Sequence, residues 1–342
     1  MYDVVPIAST PDLLRLVAVP VFAWAAVRDV KTRRISSSVW IPLSALAVVL
    51  FVWDGWVAYR AGGVVWSHEF LVPAALSLGV VVPLAYLFWW FGGFGGADAK
   101  ALLVLALLFP TYPTYALGSW TLPVVTPEIA SAFSLAILTN AVLLGVLVPV
   151  ALAIRNAAAG RIAPVMFVGW PIEWTAVSST HGRLLDAPSG RSLSGLDLDA
   201  LRMYLRWRGL SLEELRADPE TYRDPASLSD EPNPPTDGAV EAVGAEIRSD
   251  GGSSRVQESL DRDTDAPTDV EDLEDPWGAE AFLEDIDGTA YGTDPETLRD
   301  GLEVLAERDV IWISPGTPFL VPIFAGLVVA LVYGDLLFTL LF

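Results

Sequence analysis

The chain has 342 residues, of which 53% are hydrophobic and only 18% charged, yet its net charge is −21. It contains no cysteine and two histidines, His68 and His181. Disulfides, thiolate metal centres, iron–sulfur clusters and cysteine nucleophiles are excluded, a multi-histidine metal site is disfavoured, and the catalytic inventory is nearly reduced to carboxylates.

The charge is unevenly spread. Between Arg155 and Asp309 lie 34 of the 42 acidic residues and 14 of the 21 basic ones, which leaves eight acids and seven bases elsewhere. An apolar, nearly neutral shell therefore carries an acidic insert. Nineteen basic residues are Arg, and Lys31 and Lys100 are the two lysines. Abundant carboxylates with scarce Lys suit a protein kept hydrated in high salt, so a halophilic source is expected, with solubility as the plain role of the insert's acidity.

In chain order, the apolar runs predict six membrane helices, against the ~20 residues that a hydrocarbon core requires. The first is expected from Leu13 to Val27, ending in the basic cluster Arg28, Lys31, Arg33 and Arg34. These charges follow the apolar stretch, the wrong order for a signal peptide. The second is expected from Val39 to Tyr59 and the third from Phe70 to Phe91, with Trp53–Glu69, and so Asp54 and Glu69, in an outer loop. The fourth is expected from Ala97 through Phe109 toward Leu117, kinked at Pro110 and Pro113. The fifth runs from Ala130 to Ile154, and the sixth from Pro318 to Phe342.

The positive-inside bias places Arg28–Arg34 in the cytoplasm and the N-terminus outside. Alternation then makes the glycine loop Gly92–Asp98 and the acidic insert cytoplasmic, with Arg60 as the one dissenting charge. Within the insert, Leu196–Ala217 and Glu296–Arg308 have helical spacing. Residues 227–276 have the composition of a disordered linker. The predicted fold is an all-α multi-pass cell-membrane protein. Its domains are 1–154 with helices one to five, 155–315 as the acidic cytoplasmic insert, and 316–342 as the sixth helix.

Two carboxylates stand out. Asp29 sits among the basic residues that end the first span, where charge balance and topology are its ordinary roles. Asp98 follows Gly92-Gly93-Phe94-Gly95-Gly96-Ala97 between two apolar spans. Irregular backbone at membrane depth is tolerated where protein or a water-filled cavity satisfies it, and a carboxylate there is a functional candidate. Its ordinary role is to cap the fourth helix. The predicted topology brings both to one membrane face, where two acids sharing a site divide the work of an aspartic protease: one activates water and the other polarises the carbonyl.

The pattern Asp29-Val-Lys-Thr-Arg-Arg-Ile35, with Gly95-Gly96-Ala97-Asp98-Ala99-Lys100, resembles the archaeal prepilin peptidases, including preflagellin peptidases, of the GxGD aspartic membrane protease family. The segment Ser314-Pro-Gly-Thr-Pro-Phe-Leu-Val-Pro-Ile-Phe-Ala-Gly resembles the last helix of that branch. The resemblance implies an aspartic endopeptidase that cuts short basic leaders from prepilin and prearchaellin precursors. Asp29 and Asp98 would be catalytic, with Gly95, Gly96, Ala97 and Lys100 supporting the motif. Neither a cofactor nor a metal is expected; the partners are the precursors and the lipid bilayer, without nucleic acid. One departure is visible: the strict motif has Gly before the aspartate, where this chain has Ala97, which does not readily take φ > 0. With no cysteine and no glycine-rich nucleotide loop, peptidase activity alone is expected, without N-methylation of the product.

Other readings compete. A proton- or ion-coupled transporter would use the same two carboxylates, though the halves show no internal repeat. A scaffold that recruits a partner through its insert would leave the glycine loop without a purpose. Asp335 is expected to serve as an anchor or in helix packing, and His181 to be structural or exposed.

Overall fold

A computed structural model describes residues 7–91, 95–127, 131–229, 231–240, 274–286, 290–316 and 318–341. The chain divides into two compact units, Met1–Pro149 with Thr317–Phe342, and Val150–Gly316.

The first unit is mainly helical. Ser9 caps α1 (Thr10–Arg15), its hydroxyl accepting the Asp12 N–H at 3.2 Å. The backbone tightens at Leu16 and Val17 and resumes as α2 (Ala18–Thr32). The expected first span, Leu13 to Val27, is thereby shifted, and Asp29 lies inside the last turn of α2. The interruption accompanies a buried cation that the hydropathy pattern did not reveal. Arg15 pairs with Asp12 and Asp54, and its Nε–H donates to the Leu108 carbonyl at 2.6 Å, which satisfies a charge otherwise costly to bury.

Helices α3 (Trp40–Ala61) and α4 (Val65–Trp90) are joined through Gly62 and Gly63, whose φ values are +68° and +53°. The expected outer loop Trp53–Glu69 is corrected by this short turn: Asp54 is helical in α3 and Glu69 in α4. α4 widens into π geometry over Val65–Leu71 and Ser77–Val81, and Pro73 and Pro83 follow these segments. A proline collides with the carbonyl four residues back, and the wider turn absorbs that collision.

Helix α5 (Gly96–Leu108) is largely enclosed. Ala101, Leu102, Val104, Leu105, Ala106 and Leu108 are all buried along it, and it packs against α3 and α4. It stops at Phe109, before Pro110. The expectation of a kinked continuation toward Leu117 is corrected, because Tyr115–Leu117 (β1) instead pairs antiparallel with Trp120–Leu122 (β2). Helix α6 (Phe133–Ala158) follows. The C-terminal helix, Leu320–Val332, packs against α2 and ends well before Phe342. Gly334, at φ +116°, follows this end, and the position requires glycine because a side chain there would strike the Val125 carbonyl. Asn140 clamps the break: its Nδ2 donates to the Gly334 carbonyl at 2.8 Å, and its Oδ1 accepts the Leu336 N–H at 2.9 Å. Asp335 then caps the closing helical turn by accepting the Phe338 N–H.

Among the described residues, three helices are long and apolar enough to cross a membrane: Ser37–Ala61, Val65–Trp90 and Phe133–Ala158. Leu320–Val332 is a shorter apolar helix. At 15 and 13 residues, α2 and α5 also fall short of the ~20 residues that a hydrocarbon core requires.

The second unit is not all-α, which corrects the predicted fold class for this region. Strand β3 (Trp170–Glu173), β4 (Arg183–Leu184) and the hairpin β5–β6 (Asp186–Ala187, Gly190–Arg191) precede the helices. These are α7 (Leu198–Arg208), α8 (Leu212–Ala217), α9 (Pro219–Arg223), α10 (Ala279–Asp285) and α11 (Pro295–Glu307). The last strand, β7 (Val310–Ser314), lies between β3 and β4 and is antiparallel to both. The segments predicted as helices correspond to α7, α8 and α11; α11 leads into a strand and not straight to the membrane. Tyr204, Trp207 and Phe282 meet edge-on or tilted at 5.5–6.3 Å, and the Tyr204 hydroxyl donates to the carbonyl of the fully buried Trp277 at 2.6 Å. Of the predicted linker 227–276, residues 230 and 241–273 lie outside the described residues. Its flanks are tied down: Arg208 donates to Ser227 Oγ at 2.9 Å, and Arg202 Nε–H to the Gly238 carbonyl at 2.6 Å.

Candidate active site

Asp29 and Asp98 come together in one cleft of about 690 Å³ in the first unit. Arg28, Arg33, Arg34, Ile35 and Ser36 line it from the end of α2 and the turn that follows. Gly95, Gly96, Ala97 and Asp98 line it from the start of α5, and Pro318 and Phe319 from the entry to the C-terminal helix. Three segments far apart in the sequence thus build one concave surface. Residues 92–94 of the predicted glycine loop lie outside the described residues.

The end of α2 explains how Asp29 is presented. Arg33 closes the helix in the left-handed region, at φ +54°, and its N–H donates to the Asp29 carbonyl at 3.0 Å. Thr32 secures the turn: its hydroxyl donates to the Arg28 carbonyl at 3.0 Å and accepts the Arg34 N–H at 3.3 Å. The Asp29 carboxylate is approached by the Leu320 N–H and feels the Arg33 charge. Asp98 in turn feels the charges of Asp29 and Arg33, so the two carboxylates are electrostatic neighbours.

Asp98 occupies the third position of α5 and turns back on the helix start, where its Oδ2 accepts the Gly95 N–H at 3.0 Å. The capping role considered for it is therefore real, and it uses only one carboxylate oxygen. It also explains the glycine at 95, whose backbone (φ −66°) is open to any residue. A Cβ at that position would lie 3.1 Å from Asp98 Oδ2, tighter than ordinary van der Waals contact. Gly96 has more room, since a Cβ there would lie 4.0 Å from Trp89 Nε1.

Ala97 is in the first turn of α5 and has no positive φ. The departure from the strict motif thus has a physical explanation: the backbone at this position is helical and does not require glycine. Ala97 packs on the unit's core. Lys100 points out of α5 and its Nζ donates to Ser37 Oγ at 2.6 Å, tying α5 to the segment that follows the Asp29 turn. Thr32, Ser37 and Phe319 received no role in the sequence reading. The first two stood inside or beside the Asp29 motif, but nothing in the sequence pairs them with their partners.

Residues 16–150 match the model of the Type IV leader peptidase family, and residues 253–336 match that of the Archaeal Peptidase A24 C-terminus Type II. The chain is thus similar to the type IV leader peptidase family over residues 16–150 and to its archaeal C-terminal model over residues 253–336. A preflagellin peptidase of Methanococcus voltae is 26% identical over 138 residues, which make up 40% of this chain and 54% of that protein. The match therefore spans about half the length of that curated relative. Both catalytic candidates, Asp29 and Asp98, fall inside the first matched segment. Together with these matches, the three long apolar helices point to a membrane protein.

Proposed function

We propose that this protein is an aspartic endopeptidase of the membrane that removes short basic leader peptides from prepilin and prearchaellin precursors, with Asp29 and Asp98 as its dyad. The observation that carries this reading is the single cleft lined by both carboxylates and built from two motif-bearing segments of a leader peptidase homologue. In the proposed topology α2 to α6 and the C-terminal helix make six passes. The basic end of α2, with Arg28, Lys31, Arg33 and Arg34, faces the cytoplasm together with the cleft and the insert. A leader that stays in the cytoplasm while its apolar helix sits in the bilayer would meet such a site directly.

Chemically, the dyad shares one proton. The ionised aspartate takes a proton from the attacking water, and the protonated partner hydrogen-bonds the scissile carbonyl and stabilises its developing oxyanion. Collapse of the tetrahedral intermediate breaks the C–N bond, and the dyad's proton leaves on the amine. Because Oδ2 of Asp98 is engaged by the Gly95 N–H, Oδ1 is the oxygen open to the proton, water or substrate. The rim of the cleft is itself basic, with Arg28, Arg33 and Arg34, so the complement for a basic leader lies elsewhere than in this rim.

The test is processing of a co-expressed prepilin or prearchaellin, read as a mobility shift. Asp29→Asn and Asp98→Asn are each expected to leave the precursor uncut while the variant still accumulates in membranes. Full processing by either variant rejects the dyad.

A further inference from the structure

The last turns of α6 belong to the second unit, and their role there extends beyond linking two parts of the chain. Asn156 is 1% exposed, and its Nδ2 donates to the carbonyls of Met166 and Gly169, both at 2.8 Å. The Arg161 N–H donates to the Asn156 carbonyl at 2.8 Å, and the Arg155 guanidinium lies 5.3 Å from the centre of the Trp170 ring. Residues 161–170 are therefore folded back against the end of a helix that is apolar and long enough to cross a bilayer. A segment fixed in this way lies close to the point where that helix ends.

What this segment exposes is unusual for an acidic, hydrated module. Ile162 is 81% exposed, Phe167 49% and Val168 38%. Beneath them Val165 packs with Leu185 and Trp312 in a small separate core. Pro164 and Val165 also share a groove with Leu193, itself 68% exposed, and with Arg191 and Arg308. The charge here has the opposite sign to the rest of the insert. From 150 to 172 the chain carries Arg155 and Arg161 and no acidic residue. At the groove Arg191 and Arg308 both pair with the single buried Asp186, at 3.2 and 3.4 Å. Exposed apolar side chains beside arginines, at the end of a membrane helix, fit the interfacial zone of a bilayer. There apolar groups enter the acyl boundary and guanidinium groups meet anionic headgroups.

We propose that the face formed by Ile162, Phe167, Val168 and Leu193, with Arg155 and Arg161, rests on an anionic lipid surface and holds the insert there. The proposal rests on the reading of α6 as a membrane span. It gives a net-acidic module one side suited to a negatively charged membrane and leaves its other sides to water.

The absence of native cysteine makes the test direct. Single variants Ile162→Cys, Phe167→Cys and Leu193→Cys are labelled with an environment-sensitive fluorophore in the full-length chain, reconstituted in vesicles of phosphatidylglycerol and phosphatidylcholine. Quenchers are supplied either on the lipid acyl chains or dissolved in water. Glu284→Cys on α10 is the water-facing control and Val142→Cys on α6 the span control. The expected result is several-fold stronger lipid quenching at 162, 167 and 193 than at 284, together with blue-shifted emission, and it weakens in phosphatidylcholine alone. Lipid quenching at 142 with none above the 284 level at the three sites overturns the proposal and leaves the span intact. No lipid quenching at 142 overturns the span, and the proposal falls with it.

Discussion

Val49, Val52, Val146 and Leu147 point away from the first unit's core and are each more than half exposed, whereas the second unit keeps Trp277, Tyr204 and Phe282 almost wholly inside. The interiors differ as well. In the first unit Ala18, Ala25, Ala47, Ala101 and Ala141 are completely buried, so helices approach closely. A serine pair, Ser77 and Ser134 at 2.7 Å, adds a buried hydrogen bond. Small residues and interhelical hydrogen bonds are what drive packing where lipid already solvates apolar surface. The insert relies instead on large aromatic burial and on ion pairs such as Arg223 with Glu303, which also accepts the Trp277 Nε1–H at 2.9 Å. The contrast teaches where substitutions should be felt: at the cleft they should cost chemistry, and in the insert they should cost stability.

That division can be broken by experiment. The largest effect is expected at the proposed dyad. Asp98→Asn should lower the processing rate by at least the ~10²–10⁴-fold typical of a lost acid–base group, with the thermal unfolding of the purified protein little changed. Large unfolding with this variant would break the contrast. Next, Trp277→Ala should destabilise the insert by about 3–5 kcal/mol, read as faster limited proteolysis of residues 150–316. Unaltered proteolysis would show that the aromatic core does not hold the insert together.

Two smaller effects sharpen the comparison. Gly95→Ala crowds Asp98 Oδ2 and should slow processing by roughly tenfold, corresponding to about 1.4 kcal/mol, whereas Ala97→Gly should stay within about twofold because position 97 is helical. Equal losses from both would contradict the cap geometry. Asp294→Ala, at the N-terminus of α11, should cost about 1 kcal/mol of insert stability. Its bonds from Thr297 hold the Asp294 carboxyl below its ordinary value. The folded state therefore favours the ionised form, and this contribution is present at neutral pH and fades as pH falls through the lowered pKa. A melting profile of Asp294→Ala that parallels the parent across that range would remove the cap from the account.

Much of this organisation was legible in the residues. The two chemistries showed in charge distribution, and Asp29 and Asp98 stood out against a chain without cysteine. Three features were less legible, each for a physical reason. Arg15, inside the expected first span, carried no signal of its role because its partners, Asp54 and the Leu108 carbonyl, lie far along the chain. The strands of the insert are two to five residues long, too short for alternation to register. The breaks at Leu16–Val17, Pro110 and Gly334 divide hydrophobic stretches that composition alone reads as continuous.

Pro318 and Phe319, which complete the cleft, are made only after the whole insert Val150–Gly316 has been synthesised. At ~5–20 residues per second, that interval is on the order of ten seconds or more. A nascent chain at this stage already carries both aspartates but lacks one wall of their cleft. Translation order thus acts as a timer on the site, and a chain truncated anywhere within the insert would retain the dyad residues without the cleft that unites them.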